Sequence, residues 1–142
     1  MIWEKLDKHR DLGLLIARIG FGFGFIYFHG WGKLTGGVDT WCGIGGAMGN
    51  LGITFLPVFW GFLQMLAETL FALFIAIGFL YRPACAILAF GMFVASLNHI
   101  VTGRGSPGHP LKYMFIAAGF MLIGPGKYSV DAWLAARKRG AG

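Results

Sequence analysis

Charged residues lie inside the apolar stretches of this sequence, and they are the first candidates for chemistry. Glu68 is the single charged residue of the stretch 55–81, and Arg18 is the single charged residue of the stretch 12–28. A central charge in a bilayer costs roughly 2.5 to 3.5 kcal/mol on insertion scales, so a chain keeps one for a partner or a function. We predict that Glu68 relays protons and that Arg18 pairs with it and holds it ionised. A purely structural ion pair is the alternative.

The spacing of other polar residues suggests that they share faces with these two. Arg18 and His29 are eleven residues apart, so at 100° per residue they point almost the same way on a helix, and Lys33 follows one turn later. Gln64 precedes Glu68 by four residues and lies on the same helix face. If the faces converge, the helices enclose a polar cavity that opens toward the outer side of the membrane, with Glu68 at its deep end.

The remaining candidates cluster toward one side of the membrane. We predict that His29 or His99 donates a hydrogen bond to a bound carbonyl oxygen, and that Gln64 and Asn98 also contact that ligand. Basic residues on this side would attract an anionic substrate, although each alone could instead reach toward lipid headgroups: they are Lys33, Arg104 and Lys112. The histidines match no metal-ligand spacing, so we predict no metal site.

The composition indicates the class of protein that positions these residues. Of the 142 residues, 56% are hydrophobic and only 13% are charged, whereas soluble domains carry about 25% charged residues. Lipid must therefore cover part of the surface. The net charge of +6 is scattered, and its one run, at 137–139, suits anionic lipid headgroups better than nucleic acid.

Four apolar stretches predict the fold. Spanning helices need about 20 residues, and we place them at about 12–34, 55–81, 83–102 and 107–124. The prediction is an all-α integral membrane four-helix bundle, one domain over 1–142, with short amphipathic N- and C-terminal segments. The C-terminal helix would begin at Ser129 as N-cap, with Asp131 in its first turn. The glycine-rich connection 35–54 is predicted to be a surface loop with a partly re-entrant piece.

Several segments resemble one known family. The sequence His-Gly-Trp-Gly-Lys-Leu at 29–34 is similar to the HGxxKL signature of the DoxX family, as are the segments at 67–69, 78–84 and 124–131 and the position of His99. The resemblance implies a four-helix membrane protein, and some relatives belong to thiosulfate:quinone oxidoreductase. It also suggests the cytoplasmic (inner) membrane of a bacterium or archaeon. The excess of Lys and Arg on the side of the termini predicts that both termini are cytoplasmic.

Together these observations predict a membrane subunit of a quinone-linked redox system that oxidises a small sulfur anion such as thiosulfate. Quinone is the cofactor that the resemblance implies. The sequence carries no haem, flavin or iron–sulfur motif, so electrons would pass directly from the donor to quinone or through another subunit. Expected partners are membrane lipids, a redox subunit and a second copy of the chain, without nucleic acid. Two alternatives are a proton-coupled transporter and a non-catalytic anchor or assembly protein.

Overall fold

The structure, a computed structural model, describes residues 2–140, and this part of the chain is helical without strands. Seven helices follow one another, and a 3₁₀ turn at Gly46–Leu51 continues the third. They are α1 (Ile2–Asp7), α2 (Arg10–Thr35), α3 (Gly37–Gly45), α4 (Pro57–Ile77), α5 (Tyr81–Thr102), α6 (Gly108–Ile123) and α7 (Val130–Gly140).

Three of these helices, α2, α4 and α5, are long and apolar enough to cross a membrane. They correspond to the first three predicted spans. The fourth prediction, at 107–124, coincides with α6, which has 16 residues and is therefore shorter than the roughly 20 residues of a typical crossing. Large apolar side chains on α2 and α6 point outward, among them Phe28, Phe115 and Leu122, as lipid-facing positions require.

The helices pack around a small-residue and aromatic core. Helix α4 contacts both α2 and α5, and α5 also lies along α6. Helix α2 approaches α4 closely at Gly22, where a Cβ would collide with the carbonyl oxygen of Ala72. Buried side chains between the helices include Phe25, Ile75 and Leu88. This packing fixes the relative depth of polar residues on α2 and α4.

Two wide turns interrupt the regular helices. Helix α2 has π geometry at Ile26–Gly30, and α4 has it at Ala67–Phe71. A π turn holds about one residue more than an α turn, so the residues after it are rotated relative to those before it. The predicted stripe of Arg18, His29 and Lys33 is therefore wrong. Arg18 lies against Tyr81 at the start of α5, His29 packs on Tyr113 of α6, and Lys33 pairs with Glu68 of α4.

The connection 35–54 is mostly helical rather than the predicted surface loop. Helix α3 lies directly on α4 because glycines remove the side chains between them. A Cβ on Gly45 would collide with the Pro57 carbonyl, and one on Gly61 would collide with the Trp41 backbone. The glycines of this connection thus allow two helix backbones to touch, which composition alone could not distinguish from loop flexibility.

The C-terminal helix begins as predicted. The Ser129 hydroxyl accepts a hydrogen bond from the Ala132 amide at 3.2 Å, which is the N-cap bond expected for α7. Asp131 has a further role that the sequence did not show. Its carboxylate accepts hydrogen bonds from the amides of Leu80 and Tyr81 at 3.0 and 2.9 Å, so one aspartate in α7 caps the start of α5.

Candidate functional site

A cavity of about 700 Å³ lies between α3, α4 and α5, with the end of α2 at one side. Its walls are mostly apolar, and only a few of the lining side chains are polar. Five residues predicted as site residues line it, namely Lys33, Gln64, Glu68, Asn98 and His99. The predicted convergence of polar faces therefore holds for these five.

Glu68 is the central group of the cavity. It sits in the π turn of α4, and only 1% of its side chain is exposed. The Lys33 ammonium donates to Oε2, and Gln64 Nε2 donates to Oε1 at 2.6 Å. Each carboxylate oxygen thus has its own donor, and the Lys33 charge offsets the cost of burying an anion.

Gly30 explains how Lys33 reaches Glu68. A Cβ at Gly30 would collide with the backbone carbonyl of Glu68, so only glycine lets the two π turns lie against each other. Lys33 follows three residues later, and Trp41 Nε1 donates to the Lys33 carbonyl at 2.8 Å. The His-Gly-x-x-Lys spacing therefore has a physical purpose, which is to bring an ammonium group alongside a buried carboxylate.

The predicted Arg18–Glu68 ion pair is wrong. Arg18 lies twelve residues before Gly30, which is roughly 18 Å along a helix, so its side chain cannot reach Glu68. Instead, Arg18 Nη2 donates to the Tyr128 carbonyl at 2.6 Å, and the guanidinium lies 5.7 Å from the centre of the Tyr81 ring. It is fully buried and belongs to the opposite end of the bundle.

Three other predicted residues lie outside the cavity. The His29 ring packs against Phe25 and Tyr113, at centroid distances of 4.8 and 5.2 Å. It borders a separate pocket of about 130 Å³. Arg104 contributes its backbone carbonyl to His99, and Lys112 is exposed on α6. His29, Arg104 and Lys112 therefore do not line the cavity that contains Glu68.

His99 is oriented by the loop that follows α5. Its Nδ1 contacts the Arg104 carbonyl oxygen, and because a carbonyl only accepts, Nδ1 carries the proton. Nε2 of the neutral ring is then an acceptor, so the predicted donation from His99 requires a protonated ring. Asn98 accepts a hydrogen bond from Asn50 Nδ2 at 3.0 Å, which attaches the 3₁₀ turn to α5.

Sequence reasoning missed the residues that close the cavity. Ile44, Met48 and Trp60 line it, and Asn50 attaches the 3₁₀ turn beside it to α5. These residues have no local signal because their role depends on how α3 folds back on α4. Among the described residues, no group of three His, Cys, Asp or Glu side chains is placed to hold a metal ion.

The sequence model of the DoxX family matches residues 13–100 of the 142. The chain belongs to the DoxX family. The matched range contains α2 to α5 almost completely, and with them the Lys33–Glu68 pair and the cavity. Together with the three long apolar helices, this makes the chain a DoxX membrane protein. Among curated proteins and among solved structures, none matches the chain.

Proposed function

We propose that this DoxX protein is the membrane subunit of a quinone-linked redox system and that the cavity beside Glu68 receives the quinone head group. The observation that carries the proposal is a buried, ion-paired carboxylate at the polar end of a largely apolar cavity. A volume of about 700 Å³ is within the roughly 300–1,000 Å³ typical of small-molecule sites.

Quinone reduction takes up two electrons and two protons, and the cavity offers groups for the protons. Lys33 donates a hydrogen bond to a quinone carbonyl oxygen, and Glu68 takes up a proton at Oε2 and passes it to that oxygen as it is reduced. Gln64 holds Oε1 of Glu68 at 2.6 Å, so the carboxylate keeps one orientation while the bond at Oε2 changes. His99 supplies the second proton by taking it up at Nε2 and releasing it to the other quinone oxygen.

The electrons would come from a small sulfur anion, for which thiosulfate is the model substrate. Oxidation of two thiosulfate ions to tetrathionate releases the two electrons that one quinone needs. Exposed basic groups at Arg104 and Lys112 would attract such an anion to the surface near the end of α5. A partner subunit would carry the electrons if the anion reacts outside this chain.

The proposal includes a topology of four crossings with both termini in the cytoplasm of a bacterial or archaeal cell. Helix α6 would be the fourth crossing. Its 16 residues span about 24 Å at 1.5 Å per residue, and it lies along α5 with outward-facing apolar side chains. The basic tail of α7 would then rest on the anionic inner leaflet.

Quinone binding with and without the Glu68 charge tests the proposal. Purified protein in nanodiscs would be titrated with ubiquinone-2 while Trp fluorescence is recorded, since Trp60 lines the cavity. We expect saturable binding by the wild type and a Kd roughly 10 to 100 times higher for Glu68→Gln. The change removes the ion pair that positions the Lys33 ammonium, and the hydrogen bond from this charged donor to the quinone oxygen contributes about 1.5–3 kcal/mol. Thiosulfate-dependent ubiquinone reduction should fall with it.

Asp39→Asn is the matched control, because Asp39 is an exposed acid on α3 outside the cavity. Its Kd should equal that of the wild type. An intact wild-type protein that shows no saturable quinone binding would overturn the proposed function. Equal Kd values for wild type and Glu68→Gln would show that the protein binds quinone but that Glu68 does not contribute to the binding.

A further inference from the structure

One side of the cavity is closed by a well-attached cover, formed by α3 and the 3₁₀ turn. The cover touches α4 backbone to backbone at Gly45 and Gly61. It is bonded to α2 through the Trp41 indole and to α5 through the Asn50–Asn98 hydrogen bond. A ligand that entered from this side would have to separate α3 from three helices.

The cavity opens mainly between α4 and α5, because four of the five exposed residues that line it lie on these two helices, and the fifth is Gly43 on α3. Leu63, Ile87 and Phe90 all line the cavity, yet they are 37%, 40% and 52% exposed. A residue that both lines a cavity and faces outward lies at its mouth. Ala86 also lines the cavity and is exposed, and its small side chain leaves the gap between the larger ones.

This mouth faces the bilayer. Both helices that form it are among the three long and apolar enough to span a membrane, and the exposed side chains at the mouth are hydrocarbons. Water-soluble ligands have no reason to approach through such a surface, whereas a lipid-soluble molecule is already concentrated there.

We infer that the cavity exchanges its ligand sideways with the bilayer, through a portal formed by Leu63, Ala86, Ile87 and Phe90. The ligand class that fits is an amphiphile with a long apolar chain and a small head that carries carbonyl or hydroxyl oxygen. The chain would occupy the portal while the head reaches Lys33 and Glu68. The inference uses the head-group site of the proposed function, but it does not require that the ligand be a quinone.

The portal changes the role predicted for Lys33. Because Lys33 is paired with Glu68 and lies behind the cover, it serves the head group of a lipid-soluble ligand rather than an anion from water. A sulfur anion would have to react at another surface of the complex, and only a membrane-soluble carrier would reach Glu68.

A photoreactive amphiphile tests the route directly. A hexadecanol that carries a diazirine near its hydroxyl would be added to nanodiscs, irradiated, and its attachment sites mapped by mass spectrometry. We expect labelling of Val94 and Ala95 on the cavity wall. In Ala86→Trp this labelling should fall at least fivefold, because the indole fills the portal.

Ala17→Trp is the matched control, since Ala17 is also exposed on a long apolar helix but does not line the cavity. It should leave labelling of the cavity wall unchanged. Ala86→Leu gives a smaller decrease in the same direction if the tryptophan variant does not fold.

Two results would overturn the portal. One is wild-type labelling confined to lipid-facing residues such as Phe93, which is exposed and does not line the cavity. The other is cavity labelling that stays at the wild-type level in a folded Ala86→Trp variant. Failure of the proposed function would look different: labelling would still depend on Ala86, but ubiquinone-2 would neither bind nor compete with the photoreactive probe.

Discussion

Arg18 and Lys33, two basic residues of α2, have contrasting surroundings. Lys33 pairs with Glu68, keeps 26% of its side chain exposed and borders a cavity. Arg18 is fully buried and bonded to one backbone carbonyl, and its Nε and Nη1 have no hydrogen-bond partner among the described residues. Both look alike in the sequence, as charges within an apolar helix. Space for a ligand beside the charge, rather than burial itself, separates a candidate site from a structural contact.

The Arg18 end of the bundle is held together by the segment 124–131, which we call the clasp. Its Lys127 amide donates to Asp11 at 3.1 Å, and its Tyr128 carbonyl accepts from Arg18. Its Asp131 amide donates to the Gly78 carbonyl at 2.9 Å. The clasp therefore joins α2, α4 and α5 at the end where α7 begins, and its buried polar groups are used for assembly.

Arg18→Ala should have the largest effect on stability and little effect on the ligand. The change removes a long, fully buried side chain, and such truncations typically cost about 3 kcal/mol through lost packing. Arg18→Met keeps most of the volume and removes a poorly paired buried charge, so it should cost about 1 kcal/mol or less. Reversible unfolding in mixed detergent micelles measures both, and ubiquinone-2 titration measures the site.

A guanidinium with a chemical role would give the opposite pattern. Arg18→Met would then fold normally but lose quinone binding or reduction, as Glu68→Gln is expected to do. Arg18→Lys sharpens the distinction, because it retains a charge but not the reach to Tyr128.

The sequence predicted what depends on local pattern. Apolar length placed α2, α4 and α5, and four-residue spacing correctly put Gln64 beside Glu68. The single charge in each apolar stretch also identified the two residues around which each end of the bundle is organised. Composition and helical spacing were sufficient for these because each involves residues within one helix.

The sequence could not predict which charges meet. The pairing of Lys33 with Glu68 depends on two π turns and on the contact at Gly30. A helical wheel assumes regular α geometry within one helix, so it shows neither the π turns nor this contact. The regular 100° rotation beyond residue 26 was therefore the wrong assumption. The cover formed by α3 was missed for a related reason, since glycines that allow close packing look like glycines of a flexible loop.

Gly30→Ala and Gly22→Ala add the same methyl group to α2, the first beside the Lys33–Glu68 pair and the second further toward the Arg18 end. Both glycines lie where a Cβ would meet the backbone of α4, and forcing a methyl group into such a contact typically costs about 1–3 kcal/mol. Both variants should unfold more easily by similar amounts. Only Gly30→Ala should also raise the Kd for ubiquinone-2, because it moves Lys33 away from Glu68.

The measurement is a quinone titration of both variants at a temperature where both remain folded, as judged by circular dichroism. Equal affinities would show that the cavity tolerates a shift of α2 and that the Lys33–Glu68 geometry matters less than we argue. Weaker quinone binding by Gly22→Ala alone would show that binding depends on the helix contact at Gly22 and not on the one at Gly30, which contradicts the proposed site.

Asp131→Ala should have the smallest effect of the three, and it tests whether the clasp acts only through assembly. Asp131 accepts two backbone hydrogen bonds at the start of α5, and loss of an N-cap typically costs about 1 kcal/mol. Asp131→Asn should lose less, since its side-chain oxygen can still accept. Unfolding in detergent micelles should show this order while the Kd for ubiquinone-2 stays unchanged. A changed Kd in either variant would mean that the two ends are coupled through α5, and that the separation between site and clasp is incomplete.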